Sequence, residues 1–525
     1  MKLASILESV CQGTAFLFAA LQSQSPAPYD AADRSQVFID KVLVASESGV
    51  KFTLHPAETR KQPAGYTGPW SHHDSAQAPL TTQILRGEGG VFETWTANGS
   101  HKTSATGLEW TSPPIPGDAS WARNYLVWFS VFPDALASAD ARYKVVAFSA
   151  GRDLPTGLKD TDLVTNADGT QSRLWDLKGY YTYTSPNGHA LKPLRDKALA
   201  YQSNGQPQGD IIRAWFDQRM KRYVAFTKLR GGSRKFGVMT SADFITWSEP
   251  RVVFEGDALD QQLLPGKLRA VENVLASDVR PGEAQTQFYH VGGPIQLESC
   301  TLALPLAFFS TGYVADKPDD GASEFQLAIS RDLEHWSRPF REPAIPRGKV
   351  DTTSPKGTDA AYRGSDWDSC FFIDTSEAIP MGDELWLYYR AYNVSHGHRA
   401  CFGRGKPSER DIFKGGIGLA RWQRDRFVSV DAGEKSGTLT TVPMTFTGDR
   451  LELNASTTTG GEISVELLNA DGKAIARSKP ITGDNLRHVV AWKTPLQLAT
   501  WAGKPVALRF RLRHAQLYAF AFRKS

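Results

Sequence analysis

Three aspartates stand where chemistry could be done. They are Asp74 in Trp70-Ser71-His72-His73-Asp74, Asp210 in Gln208-Gly209-Asp210-Ile211-Ile212-Arg213, and Asp368 in Asp366-Trp367-Asp368-Ser369-Cys370. Each lies upstream of a strand-like run. A pair of carboxyl groups, one kept protonated and the other ionised, equips a site for general acid–base catalysis. Held on either side of a glycosidic bond, such a pair hydrolyses it, and the separation of the two decides retention or inversion. The plain alternative for each is a turn role, because Asp is common in turns for its hydrogen bonding alone. Candidate supporting contacts are Trp70, His73, Arg123, Asn124, His290, Asp366 and Trp367. A lone histidine such as His290 also has an ordinary structural reading. His72 and His73 hint at a metal, but neighbours on a strand face opposite ways, so no metal centre is expected there.

Something must bring these distant residues together, and a repeat supplies it. Ser241-Ala242-Asp243-Phe244-Ile245-Thr246-Trp247-Ser248-Glu249-Pro250 recurs as Ser330-Arg331-Asp332-Leu333-Glu334-His335-Trp336-Ser337-Arg338-Pro339. Weaker copies are Thr106-Gly107-Leu108-Glu109-Trp110 and Ser185-Pro186-Asn187-Gly188. Each reads as a tight turn leaving a strand, with Ser and Asp or Asn bonding back to the backbone and Trp packed beneath. A repeated strand-plus-turn unit marks radial β architectures. A second element recurs as Gly90–Trp95, Arg142–Phe148, Arg222–Phe226, Leu304–Phe309 and Asp383–Tyr389. Each reads as a middle blade strand, so five blades are expected, the last ending with 415–420 and 426–430. In such a ring the innermost strands surround one axis, which is where acids from separate blades would meet.

After Gly433-Glu434-Lys435-Ser436-Gly437 the character changes. Segments such as Ile463-Ser464-Val465-Glu466-Leu467 alternate apolar and polar, and Asn469-Ala470-Asp471-Gly472 is a hairpin signal. The expected class is all-β, with a five-bladed β-propeller over 28–435 and a β-sandwich over 436–525 that buttresses it.

Bulk composition agrees with a chain of more than one domain, since 525 residues exceed one ordinary core. A net charge of +4 spread along the chain gives no basic block, which argues against nucleic acid. Aromatic residues are plentiful enough for sugar stacking, with packing between blades as the ordinary alternative. Residues 1–27 resemble a secretory leader, with Glu8 and Gln12 interrupting the apolar run, and this implies a secreted or periplasmic protein. No later apolar run is long enough to span a bilayer. Cys300, Cys370 and Cys401 have no metal-ligand spacing, and a disulfide among them is left open.

The propeller-plus-sandwich layout resembles the glycoside hydrolases of the invertase and levanase group and of the arabinanase and xylosidase group. The Ser-x-Asp-x-x-x-Trp-Ser-x-Pro phrase is typical of their blade turns. Gln36-Val37-Phe38-Ile39-Asp40-Lys41, Gly382-Asp383-Glu384-Leu385-Trp386-Leu387-Tyr388-Tyr389 and Gly503-Lys504-Pro505-Val506-Ala507-Leu508-Arg509-Phe510 are shared with uncharacterised bacterial members. The resemblance implies a carbohydrate substrate, furanosides among the candidates, and no cofactor beyond a structural Ca²⁺, although no loop here has calcium-loop spacing. The invertase group's opening Trp-x-Asn-Asp-Pro-Asn stretch and its Arg-Asp-Pro motif are absent, and Glu298-Ser299-Cys300 is only superficially like its Glu-Cys motif. The acids are therefore assigned by position, as Asp74, Asp210 and Asp368. A non-catalytic binding propeller is the rival reading. The repeated phrase also resembles a sialidase Asp-box: an inward trio of Arg would favour that enzyme, an inward pair of Asp the first reading.

Overall fold

The computed structural model describes residues 27–60, 83–95, 101–111, 126–134, 136–149, 163–165, 171–173, 179–188, 190–194, 202–203, 206–229, 233–312, 320–398 and 412–525. Within them five antiparallel sheets follow one another along the chain. Blade 1 is Ile84–Arg86, Phe92–Trp95 and His101–Ser104. Blade 2 runs Leu126–Pro133, Tyr143–Ser149, Gly179–Ser185 and Lys192–Pro193. Blade 3 runs Gln206–Asp217, Arg222–Leu229, Lys235–Ser241 and Arg251–Phe254, with a short leading strand Gln202–Ser203. Blade 4 is Gln285–Gln296 and Thr301–Ser310, the latter paired to both Gly321–Phe325 and Ala328–Ser330. Blade 5 holds Phe371–Thr375, Glu384–Tyr392 and Gly415–Gln423. All five recurring segments expected as middle strands are the second strands of their blades.

The repeated phrase closes the third strand of blades 1 to 4, and its hydrogen bonds explain its residues. In blade 3, Ser241 Oγ accepts from the N–H of Phe244 at 2.9 Å, and Asp243 Oδ1 accepts from Ile245 and Thr246 at 2.8 and 2.7 Å. Blade 4 repeats this with Ser330 and Leu333 at 2.8 Å, and Asp332 with Glu334 and His335 at 2.9 and 2.7 Å. Counted from Ser104, Ser185, Ser241 and Ser330, the fourth position always has positive φ: Gly107 76°, Gly188 74°, Phe244 64° and Leu333 69°. Blades 1 and 2 use glycine there without steric cost. Phe244 and Leu333 accept the strained conformation because each buries its side chain completely, at 0% and 1% exposure. Trp336 then packs across the seam, 5.1 Å from the Phe226 ring and 6.0 Å from Phe254, both of blade 3.

The ring closes differently from the expectation. The fourth strand of blade 5 is not 426–430 but Glu58–Arg60, which pairs with 419–421. Arg421 reinforces the closure with a 2.7 Å ion pair to Glu58. Joining an early strand to the last blade removes the open edge that a linear series of blades would leave. Val428–Ala432, past a turn at Asp425 with φ 63°, leaves the propeller and pairs with Lys51–Leu54 and with Ala507–Arg523.

That second sheet has nine strands and draws on both ends of the chain. Gln36–Val37, Val44–Ser48 and Lys51–Leu54 belong to it, a contribution that a division at 435/436 does not include. Its spine is two long paired strands, Arg450–Leu468 and Ala507–Arg523. Their register breaks between Thr457 and Glu462, opposite His514 with φ 44°, and the sheet bends there. Phe510 and Phe520 lie on either side of the bend with ring centroids 6.0 Å apart. A straight strand would hold them about 33 Å apart. The sheet is therefore folded over its own core, which contains Phe38, Leu451, Leu453, Val465, Phe510 and Phe520, and this makes it a sandwich. No helix among the described residues is long and apolar enough to cross a membrane.

Candidate functional site

Side-chain bonds tie the innermost strands to one another around the axis. Gln83 Oε1 accepts from Val131 N–H of blade 2 at 3.2 Å. Ser130 of blade 2 exchanges bonds with the Ala214 backbone of blade 3, donating at 2.9 Å and accepting at 3.0 Å. Thr375 of blade 5 accepts from Gly293 N–H of blade 4 at 2.9 Å. Gly292 is required beside it, because a Cβ there would sit 2.4 Å from Thr375 Oγ1.

The chemically richest group lies on three of these strands. Arg213 of blade 3 reaches in front of blade 4 to blade 5. Its Nη2 donates to Asp374 Oδ1 and to the Thr375 carbonyl, both at 2.6 Å. Both side chains are almost completely buried, at 4% and 1% exposure. His290 of blade 4 completes the group, its Nδ1 4.0 Å from Asp374 Oδ1. Burial holds the His290 imidazole well below the usual histidine range, and the charges of Lys228, Arg213 and Arg390 push the same way. At neutral pH it is a neutral ring that can either accept or donate a proton. Glu377, in the turn leaving the same strand as Asp374, is pushed up to about 7 by burial, with Arg213 opposing.

Tyr289 fills the bulge between Phe288 and His290 and faces the blade 4–5 seam. Its hydroxyl meets His396 Nε2 at 3.1 Å, and Lys228 Nζ lies 4.4 Å from its ring centroid. Arg234 lies 5.4 Å from the same ring and donates to Gln287 at 2.8 Å. Cationic side chains thus gather on one side of the axial group.

The expected site residues are placed as follows. Asp74, Trp70, His73, Arg123 and Asn124 lie outside the described residues. Asp210 belongs to the innermost strand of blade 3, three positions before Arg213. His290 stands in the axial group. Asp368 is buried and accepts from the Tyr389 hydroxyl at 2.8 Å, on the second strand of blade 5. Burial and the adjacent Asp368 push the Tyr389 phenol far up, so it is locked as a donor. Trp367 stacks on Tyr389 at 5.7 Å, and Asp366 accepts from Lys349 N–H at 2.8 Å. Gly348 makes room for this cluster, since a Cβ there would stand 2.2 Å from Asp368 Oδ1. Asp366, Trp367 and Asp368 therefore form one packed group on the flank of blade 5, and the acid reaching the axis beside His290 is Asp374.

Asp374 and Arg213 lie inside their strands, not ahead of them as Asp74 and Asp368 do in the sequence. Their signal was a lone charge inside an apolar strand, in Phe371-Phe372-Ile373-Asp374-Thr375 and Ile211-Ile212-Arg213-Ala214-Trp215. Opposite charges in two such strands are a mutual requirement, because neither is tolerated when buried alone. Among the described residues no group of three or more His, Cys, Asp or Glu is placed to hold a metal. Cys300 and Cys370 are both buried.

The fold is the five-bladed propeller that the resemblance implied. No family model matches the chain, and no curated protein matches it. Among solved structures, it is similar to an N-acetylgalactosamine deacetylase from F. plautii in complex with blood group B trisaccharide, at 14% identity and TM-score 0.38 over 72% of this chain and 97% of that one. It is also similar to a family 43 arabinoxylan arabinofuranohydrolase from Bacillus subtilis, at 11% identity and TM-score 0.34, covering 87% of this chain and 98% of that one. An exo-inulinase from Aspergillus awamori gives 12% identity and TM-score 0.36, covering 86% and 99%. These values support no residue correspondence, and function is argued from the site itself.

Proposed function

We propose that the protein is an exported glycoside hydrolase acting on an oligo- or polysaccharide, with furanosides among its candidate substrates. The observation that carries the reading is the axial group: an acid, Asp374, held by Arg213 across the axis beside the neutral His290. Three innermost strands converge on it, which is what a carboxylate-dependent site at the floor of a funnel requires. Asp374 is assigned as one carboxyl of the pair, held in place by its 2.6 Å bond from Arg213. The second carboxyl is proposed to be Asp210, on the same strand as Arg213, with Asp74 as its rival. Asp368 then serves through its Tyr389 bond as a wall of blade 5.

A second reading is a carbohydrate-binding propeller without catalysis. The observation favouring it is that Asp374 is already ion-paired and almost completely buried. The gathering of Arg213, Lys228, Arg234 and Arg390 near Tyr289 and His290 favours an acidic sugar in either case.

The test is a hydrolysis screen of the purified protein on aryl furanosides, aryl pyranosides, uronides and mixed polysaccharides, with Asp210→Asn and Asp374→Asn in parallel. Loss of at least about a hundredfold in a folded variant supports acid-dependent hydrolysis. No turnover on any substrate, with saturable sugar binding by calorimetry, establishes the binding propeller instead.

A further inference from the structure

Two buried polar atoms near the axis have no hydrogen-bond partner among the described residues: Nη1 of Arg213 and Oε1 of Glu377. They belong to groups of opposite charge that feel each other electrostatically. Arg213 already spends Nη2 on Asp374 and on the Thr375 carbonyl. Glu377 stands three residues beyond Asp374, in a turn fixed by Ser376 N–H to the Tyr388 carbonyl at 2.8 Å and Ala378 N–H to the Pro294 carbonyl at 3.1 Å. The turn is anchored on both sides of Glu377.

We propose that Glu377 controls how firmly Arg213 holds Asp374. With its proton on, Glu377 leaves the guanidinium to Asp374; with its proton off, two carboxylates share one arginine and Asp374 is held less tightly. Glu377 is thus a positioning residue that acts through Arg213. The inference rests on Asp374 being a working group of the carbohydrate site proposed above.

The groups facing this place are few. Blade 3 contributes Arg213, blade 5 contributes Asp374 on the strand that leads into Glu377's turn, and blade 4 contributes His290, which is neutral. Lys228 and Arg390 act on His290 from further out, and among the described residues Arg213 is the charge that registers at Glu377. The neighbouring Tyr388 is occupied, donating its hydroxyl to the Gly107 carbonyl at 2.7 Å. Burial places the Glu377 titration at about 7, so the exchange of partners falls at neutral pH. Deprotonation releases the proton to solvent and changes no covalent bond.

The experiment compares pH profiles of turnover and of urea stability for the wild type, Glu377→Gln and Asp374→Asn. In the wild type, kcat/KM falls above neutrality by about tenfold per pH unit, as one ionisation dictates. Glu377→Gln cannot ionise, and its profile loses that limb. In the stability arm, Asp374→Asn frees Arg213 for Glu377 and moves the Glu377 transition to lower pH, whereas Glu377→Gln abolishes it. A Glu377→Gln profile that superimposes on the wild type, or a Glu377 transition unmoved by Asp374→Asn, overturns the proposal. If the wild type hydrolyses no glycoside, the catalytic reading fails by itself, and the stability arm still decides whether Glu377 and Asp374 compete for Arg213.

Discussion

Arg213 and Asp374 illustrate how a buried ion pair constrains a protein more than it stabilises it. Removing one partner strands the other in a low-dielectric interior, at a cost of about 3–5 kcal/mol. Arg213→Met is therefore expected to lower unfolding free energy by about that amount in urea titration, and Arg213→Met with Asp374→Leu to recover much of it. Equal destabilisation by the single and double variants would show that packing, not charge, dominates. Glu377 gives a pH signature of opposite origin. Its folded carboxyl titrates at about 7 against an ordinary 4.5, so its contribution to stability is present below about pH 4.5 and is lost as pH rises through 7. Glu377→Gln should match the wild type in acid and exceed it above neutrality, by at most about 3 kcal/mol, in denaturation at several pH values. At this scale the sequence was only partly legible. Asp210 and His290 were read from their position before or within innermost strands, and both are on those strands. Asp374 was hidden because it follows three apolar residues in a strand, where nothing local distinguishes a functional acid from a structural one. The pairing that makes it tolerable comes from a residue 161 positions away.

The blade turn was the most legible element, because its chemistry is local. Ser, Asp and the positive-φ position are a complete hydrogen-bonding unit within a few residues, so two close copies and two weaker ones stand out in the sequence. Asp332→Ala removes the acceptor for the Glu334 and His335 N–H groups and should destabilise the protein by about 1–2 kcal/mol. Thermal melts of that variant beside Asp471→Ala, in an exposed hairpin turn, would separate a blade-specific effect from a general turn effect. The end of blade 5 is less legible for a related reason. Arg426–Val430 has an acceptable strand pattern, and its pattern does not say which sheet it joins. The choice is made by the turn at Asp425 and by an edge that Glu58–Arg60 already occupies.

Over the whole molecule, the propeller and the sandwich share their ends. The early strands serve the sandwich at 36–54 and the propeller at 58–60, so both units draw on one short stretch of chain. Ion pairs cross the junction as well: Arg331 with Asp40 at 2.9 Å, Arg523 with Glu298 at 2.8 Å, and Arg487 with Asp383. Truncation after Lys435 would uncover Phe38, Val430 and Phe52 and take with it the partners of Gln36–Val37 and Val44–Ser48. The truncated chain is expected to be insoluble or to lose the propeller's near-ultraviolet dichroism, and the intact chain to unfold in one calorimetric transition. A soluble, folded product from residues 28–435 would show that the propeller stands alone. The all-β class and the sequential blades were legible because they repeat. The sharing of ends was not, since short strands at 36–54 carry no label naming partners hundreds of residues away.

That sharing also sets an order of events during synthesis. Gln36–Val37 pairs with 519–520, Val44–Ser48 with 438–441, and Lys51–Leu54 with 428–431. These early strands thus find their neighbours only after the blades between them have been made, and they wait with exposed edges until then. Contacts of such long sequence separation are slow to form and vulnerable to aggregation. Completion of the fold therefore waits until 428–441 and 507–523 have been made, when they return to the early strands and lock the ring and the sandwich together.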